Sequence, residues 1–143
     1  MNTLVLFDIN KTLIPGSLAH KESFSAAFKK IFGITTTIDV INHHGMTDQQ
    51  IIIDVLKKTH LKENGIIKKM EECQSAMIMH FKKAIKDEQI FPLDGVVELL
   101  ENLREKQVLL GLVTGNLEQI AKEKLKKAGI ESYFRLGALA AME

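Results

Sequence analysis

The chain has 143 residues, 45% hydrophobic and 26% charged, and carries a formal net charge of +1 at pH 7. That length suits one domain with a real buried core, while the near-neutral balance, with two arginines and no tryptophan, excludes a nucleic-acid surface made from a concentrated basic stripe interleaved with aromatics. No apolar run approaches the roughly 20 residues needed to cross a bilayer.

Taken in order, "MNTLVLF" has neither the basic region nor the small-residue cleavage site of a signal peptide. The single Cys73 has no partner for an intramolecular disulfide, so a cytoplasmic chain is expected. The first strand is expected over Thr3 to Asp8. Its apolar residues run continuously, the pattern of a strand covered on both faces in a parallel α/β sheet. Pro15 and Gly16 end it.

From Ser17 to about Gln89 the period becomes helical. Leu18, Phe24, Ala27, Phe28 and Ile31 line one face, with Gly33 as C-terminal cap. Thr47 and Gln50 then have capping-box spacing ahead of Ile51, Val55 and Leu56. A long helix is expected over about 66–86, with Ile66, Met70, Cys73, Met77, Phe81 and Ile85 inward. The paired lysines along these segments read as solvated helix faces.

After "FPLDG" the α/β pattern returns. Asp94 is placed to cap a helix with Val96, Val97, Leu100 and Leu103 inward; "VLLGLVTGN" reads as a second buried strand. A further helix has Ile120, Leu125 and Ala128 inward and Gly129 at its end, and "SYFRLGALA" is a candidate third strand or its approach. The fold class that follows is α/β, a Rossmann-like parallel sheet core that is incomplete, made of 1–16 and 90–143, with an inserted α-helical cap domain over 17–89. That insertion of roughly 70 residues far exceeds the usual connection of about 4–6.

Ligands of open α/β sheets bind beyond the carboxyl ends of the strands. Those ends carry Asp8-Ile9-Asn10-Lys11-Thr12 and Thr114-Gly115-Asn116. An acid on one strand, with a hydroxyl and glycine-exposed amides on the other before a helix start, can grip a phosphate between them.

With "VLFDINKTL", "PLDGVVELLENLREKQVLLGLVTGN" and "GMTDQQI", the chain resembles the haloacid dehalogenase-like hydrolases, in particular phosphoglycolate-phosphatase-type members with a helical cap. The resemblance implies a phosphatase acting on a small phosphorylated metabolite. Asp8 would be the nucleophile, forming an aspartyl-phosphate and binding Mg2+ together with the backbone carbonyl of Asn10. Thr114, Gly115 and Asn116 would bind phosphate, Thr12 would support the loop, and His44, Thr47 and Asp48 would face substrate from the cap.

Two features depart from the family. Asn10 stands where its phosphatases carry the acid/base aspartate, and an amide cannot exchange that proton. The help lost is worth about 10²–10⁴ in rate, which biases any activity toward acyl or aryl phosphates. The family's third-motif base and fourth-motif acids lie on strands beyond this length; Lys122, Lys124, Lys126 and Lys127 belong to the helix after the second motif and read as its solvent face.

"LVLF" would therefore form an open apolar edge, a hazard unless covered. Two expectations follow: a truncated product of a longer coding sequence, or a homo-oligomer or complementing chain that completes the sheet. Two other functions stay open, a catalytically silent relative that binds a phosphorylated ligand or a protein, and a dehalogenase working through an aspartyl ester.

Overall fold

The computed structural model describes residues 3–134 and 139–141. In chain order the elements are β1 (Leu4–Phe7), α1 (Leu18–Ala27), α2 (Asp48–Lys57), α3 (Glu63–Lys68), α4 (Met70–Ala84), α5 (Val96–Glu105), β2 (Leu109–Thr114), α6 (Glu118–Lys127) and β3 (Leu139–Ala141). The chain divides into two compact units, Met1–Gly16 with Gln89–Glu143, and Ser17–Glu88.

The first unit is a parallel sheet with strand order β1-β2-β3. Leu4 pairs with Leu109 and Phe7 with Leu112, while Leu112 pairs with Leu139 and Thr114 with Ala141. Parallel neighbours need crossover connections, and β1 reaches β2 only after the whole helical unit and α5. This is the expected α/β architecture, and the third strand is Leu139–Ala141.

The expectation that β1 is covered on both faces is corrected. Leu4 and Leu6, which share a face by strand alternation, are 55% and 51% exposed, because β1 is the edge strand of the described sheet. Phe7 is half-buried, edge-on to Phe134 at 6.2 Å between ring centroids.

In α5, Val96 and Leu100 are buried but Val97 is exposed. Asp94 is not its cap. Gly95 takes that position with φ 82° and no side chain caps the helix, since a turn closed by Val96 N–H on the Leu93 carbonyl precedes it. In α6, Ile120, Ala121 and Leu125 are buried, and Gly129, with φ 76°, follows its end, the left-handed conformation glycine adopts most readily.

The second unit is all helical. Phe24, Ala27 and Phe28 face inward as expected, whereas Leu18, next to the Ser17 cap, is exposed. Beyond Ala27 the helix widens into one π turn, Phe28–Phe32, before Gly33 at φ 69°. The single helix expected over 66–86 is two helices, α3 and α4, broken at Lys69 (φ −107°, ψ 12°). All six stripe residues remain buried, because the break falls between Ile66 and Met70 without taking either off the core.

The unit's two ends are tied together. Ser17 Oγ donates to Glu88 Oε2 at 2.5 Å, and Leu18 N–H donates to Glu88 Oε1 at 2.6 Å. A carboxylate at the first turn of α1 also suits the helix dipole.

Two predictions follow from these environments. Replacing Leu4 and Leu6 with threonine, which retains strand preference, should lower hydrophobic-dye fluorescence of the native chain; unchanged fluorescence would show that this edge is not the apolar surface the dye meets. Burial pushes the Cys73 thiol from 9.0 up to about 12. It should resist alkylation until denaturant is added. Because the unfolded thiol ionises first, its contribution to stability is present below about pH 9 and lost as pH rises above it, measurable as a falling urea midpoint.

Candidate active site

Where β1 ends, the chain forms a tight loop from Asp8 to Ile14. The Ile9 carbonyl accepts from the N–H groups of Thr12, Leu13 and Ile14, and Lys11 N–H donates to the Ile14 carbonyl at 2.7 Å. Ile9, Leu13 and Ile14 are buried and anchor it. Lys11 takes a left-handed φ of 62°, an uncommon conformation for a side-chain-bearing residue. The Asp8 side chain is exposed, and its Oδ1 accepts from Ile9 N–H at 2.8 Å.

The neighbouring strand ends beside it, since Phe7 pairs with Leu112. Thr114 is buried, and its Oγ accepts from Asn116 N–H at 3.1 Å. Helix α6 follows with no side-chain cap. The start of a helix, with its unpaired amides, favours an anion.

The residue that joins the two ends is Lys124. Its side chain is 0% exposed, and Nζ donates to Asn10 Oδ1 at 3.0 Å and to Asn116 Oδ1 at 2.6 Å. The reading of Lys124 as part of a solvent face is thereby corrected, although Lys122, Lys126 and Lys127 are exposed as expected. A usable signal existed in the sequence. Lys124 lies four residues after Ile120 and four before Ala128, on the stripe that points inward.

Asp8, Asn10, Thr114, Gly115 and Asn116 thus lie at adjacent strand ends, with Asn10 and Asn116 held to one ammonium. Thr12 is exposed, and it serves the loop through its backbone N–H. The Asn116 N–H donates to Thr114 Oγ, and its side-chain oxygen accepts from Lys124 Nζ.

His44, Thr47 and Asp48 belong to the helical unit. His44 is exposed, its ring tilted against His43 at 5.4 Å. Thr47 Oγ accepts from Gln50 N–H at 3.1 Å, while the Gln50 side chain bonds Asp54 instead of reaching back, so only half of the capping box forms. Asp48 is 2% exposed, and its Oδ2 lies 3.0 Å from His20 Nε2. His20, stacked on Phe24 at 5.3 Å, had no signal in the sequence, because its partner lies 28 residues away.

A family model described as haloacid dehalogenase-like hydrolase matches residues 5–140. The chain belongs to this family. Solved structures similar to this haloacid dehalogenase-like chain include a family IA, variant 3 hydrolase from Entamoeba histolytica, at 22% identity and TM-score 0.62, covering 100% of this chain and 62% of that one. A predicted phosphoglycolate phosphatase from Haemophilus somnus aligns at 18% identity and TM-score 0.67, covering 98% and 62%. CbbY from Rhodobacter sphaeroides in complex with phosphate aligns at 16% and TM-score 0.69, covering 99% and 64%. These identities establish likeness of fold. The chain spans less than two thirds of the length of each. No curated protein matches it.

For a hard cation such as Mg2+, which takes oxygen ligands, the strand ends of this haloacid dehalogenase-like chain supply donors of the right kind in the Asp8 carboxylate and the Asn10 backbone carbonyl. Among the described residues no group of three or more His, Cys, Asp or Glu could hold a metal ion. The donor set is thus suited in type and partial in number.

Removing one acceptor should be worse than removing the charge. Asn116→Ala leaves the Lys124 ammonium buried with a partner lost, which should cost about 2–3 kcal/mol. Lys124→Met, similar in shape and uncharged, should cost less. Urea unfolding of both variants checks the order, and the reverse order would mean that Lys124 does not depend on this amide.

Proposed function

We propose that this haloacid dehalogenase-like hydrolase is a magnesium-dependent phosphatase by design, in which Asp8 attacks the phosphorus of a small phosphorylated metabolite. The observation that carries the reading is the buried Lys124 ammonium bonded to both Asn10 and Asn116. It places a fixed positive charge between the loop bearing Asp8 and the turn bearing Thr114. A preorganised charge of this kind stabilises a transferring phosphoryl group without reorganising at the moment of reaction.

In this reading Asp8 Oδ2 is the attacking atom, because Oδ1 is held by Ile9 N–H. The Thr114 hydroxyl, which receives the Asn116 N–H, has its own proton to give to a phosphoryl oxygen. Lys124 would supply a positive charge of the kind the family's third-motif base supplies. Mg2+, held by Asp8 and the Asn10 backbone carbonyl, would neutralise phosphate charge.

From the helical unit, His44 has the exposure a substrate contact requires. Thr47 and Asp48 are engaged in capping and in the pair with His20, so their part is to hold the start of α2. Phosphatase descent also supports the division into a core and a cap. The exposed β1 edge is where a second copy, a complementing chain or a further segment would add a strand.

Calorimetric titration with beryllium fluoride and Mg2+ tests the site independently of turnover. Binding should be metal-dependent and lost in Asp8→Asn, with aryl phosphate turnover lost alongside. Equal binding by Asp8→Asn would contradict the assigned nucleophile, and a metal-independent phosphate affinity would instead favour a silent phosphate-binding relative.

A further inference from the structure

The hydrogen bonds of Lys124 decide which way two amides face. A lysine ammonium has three donors and no acceptor, so the atoms that meet it on Asn10 and Asn116 must be the carbonyl oxygens. The usual ambiguity between the oxygen and nitrogen of a carboxamide is removed by this chemistry. The Asn10 side chain therefore turns its oxygen to Lys124 and its N–H donors the other way.

We propose that Asp8 takes a phosphoryl group from an acyl phosphate and retains it as a long-lived aspartyl phosphate; this rests on the reading of Asp8 as the nucleophile. In the capture step an Asp8 carboxylate oxygen forms a bond to phosphorus, and the bond from phosphorus to the acyl oxygen breaks. The leaving carboxylate departs with that electron pair and, being a stable anion, needs no proton. The Lys124 charge and the donors of Asn10 and Thr114 at the strand ends suit the phosphoryl oxygens in this step.

Release is different, because the attacking water must give up a proton. Asn10 has no basic atom to receive it, and its carbonyl oxygen is already engaged by Lys124 at 3.0 Å. Glu118, the acid in the first turn of α6, is exposed and paired with Lys122 at 3.0 Å. Capture is therefore assisted, while neither Asn10 nor Glu118 assists release. Alkyl phosphates fail already at capture, since an alkoxide leaves poorly without a proton donor.

The test is intact-protein mass spectrometry of the full chain after exposure to acetyl phosphate and Mg2+, followed in time once the donor is removed. One phosphoryl adduct is expected, labile to hydroxylamine and absent from Asp8→Asn. Its decay should be about 100-fold or more slower than in Asn10→Asp, the range general base assistance covers. Should Asn10→Asp fail to fold, the pH profile of the unaltered chain replaces it: decay should show no limb near about pH 4, where a carboxylate base would titrate. Equal decay in the two chains, or a carboxylate limb in the unaltered one, overturns retention and leaves Asp8 as nucleophile standing. No adduct on either chain, together with no beryllium fluoride binding, overturns both.

Discussion

A buried ammonium is costly unless its donors are met, and that constraint organises the sheet-bearing unit. Lys124 reaches its oxygens on a loop 114 residues away in sequence and on a turn eight residues away. Both acceptors are amides at the ends of adjacent parallel strands. Each must hold its position for the charge to remain buried, so the same bonds that make Lys124 tolerable in the core fix the spacing of the two strand ends. The site's geometry and the unit's stability are one requirement.

The helical unit meets a comparable requirement with different chemistry. His20 and Asp48 are both buried and bonded at 3.0 Å, with Phe24 stacked on the imidazole. The pair fastens α1 to the first residue of α2, immediately after the turn that carries His44. Glu88 closes the unit at its base by bonding Ser17 and the first amides of α1. An insertion whose ends meet adds little closure entropy however long it is, which is how so large a segment can stand between two paired strands.

Asn10 is consistent with its surroundings as an amide. It presents oxygen to the Lys124 cation, and its N–H groups suit the proposed phosphoryl group without a change of charge. An aspartate there would answer the lysine with a full charge and leave an atom able to carry protons. The contrast separates binding chemistry, which the present residue supports, from proton traffic, which it does not.

Elements with strong local periodicity were legible in the sequence: the parallel α/β character, β2, α2, the apolar stripe through Met70 and Phe81, and Gly33 and Gly129 as helix stops. Asp8 and Thr114 were legible as strand-end residues because their place depends on where an apolar run stops. The exposure of Leu4 and Leu6 fits the open edge expected of "LVLF" but not the covered strand read from its continuous apolar run; the break at Lys69 and the turn that displaces Asp94 were not legible, since each depends on what packs nearby. Lys124 is the sharpest case. Local spacing put it on the inward stripe while residue type argued for solvent, and only the arrival of Asn10 beside Asn116 could settle the conflict. The sequence by itself determined which residues stand at the strand ends. The tertiary structure decided that a charge is buried between them, because a buried charge depends on partners that no local pattern can supply.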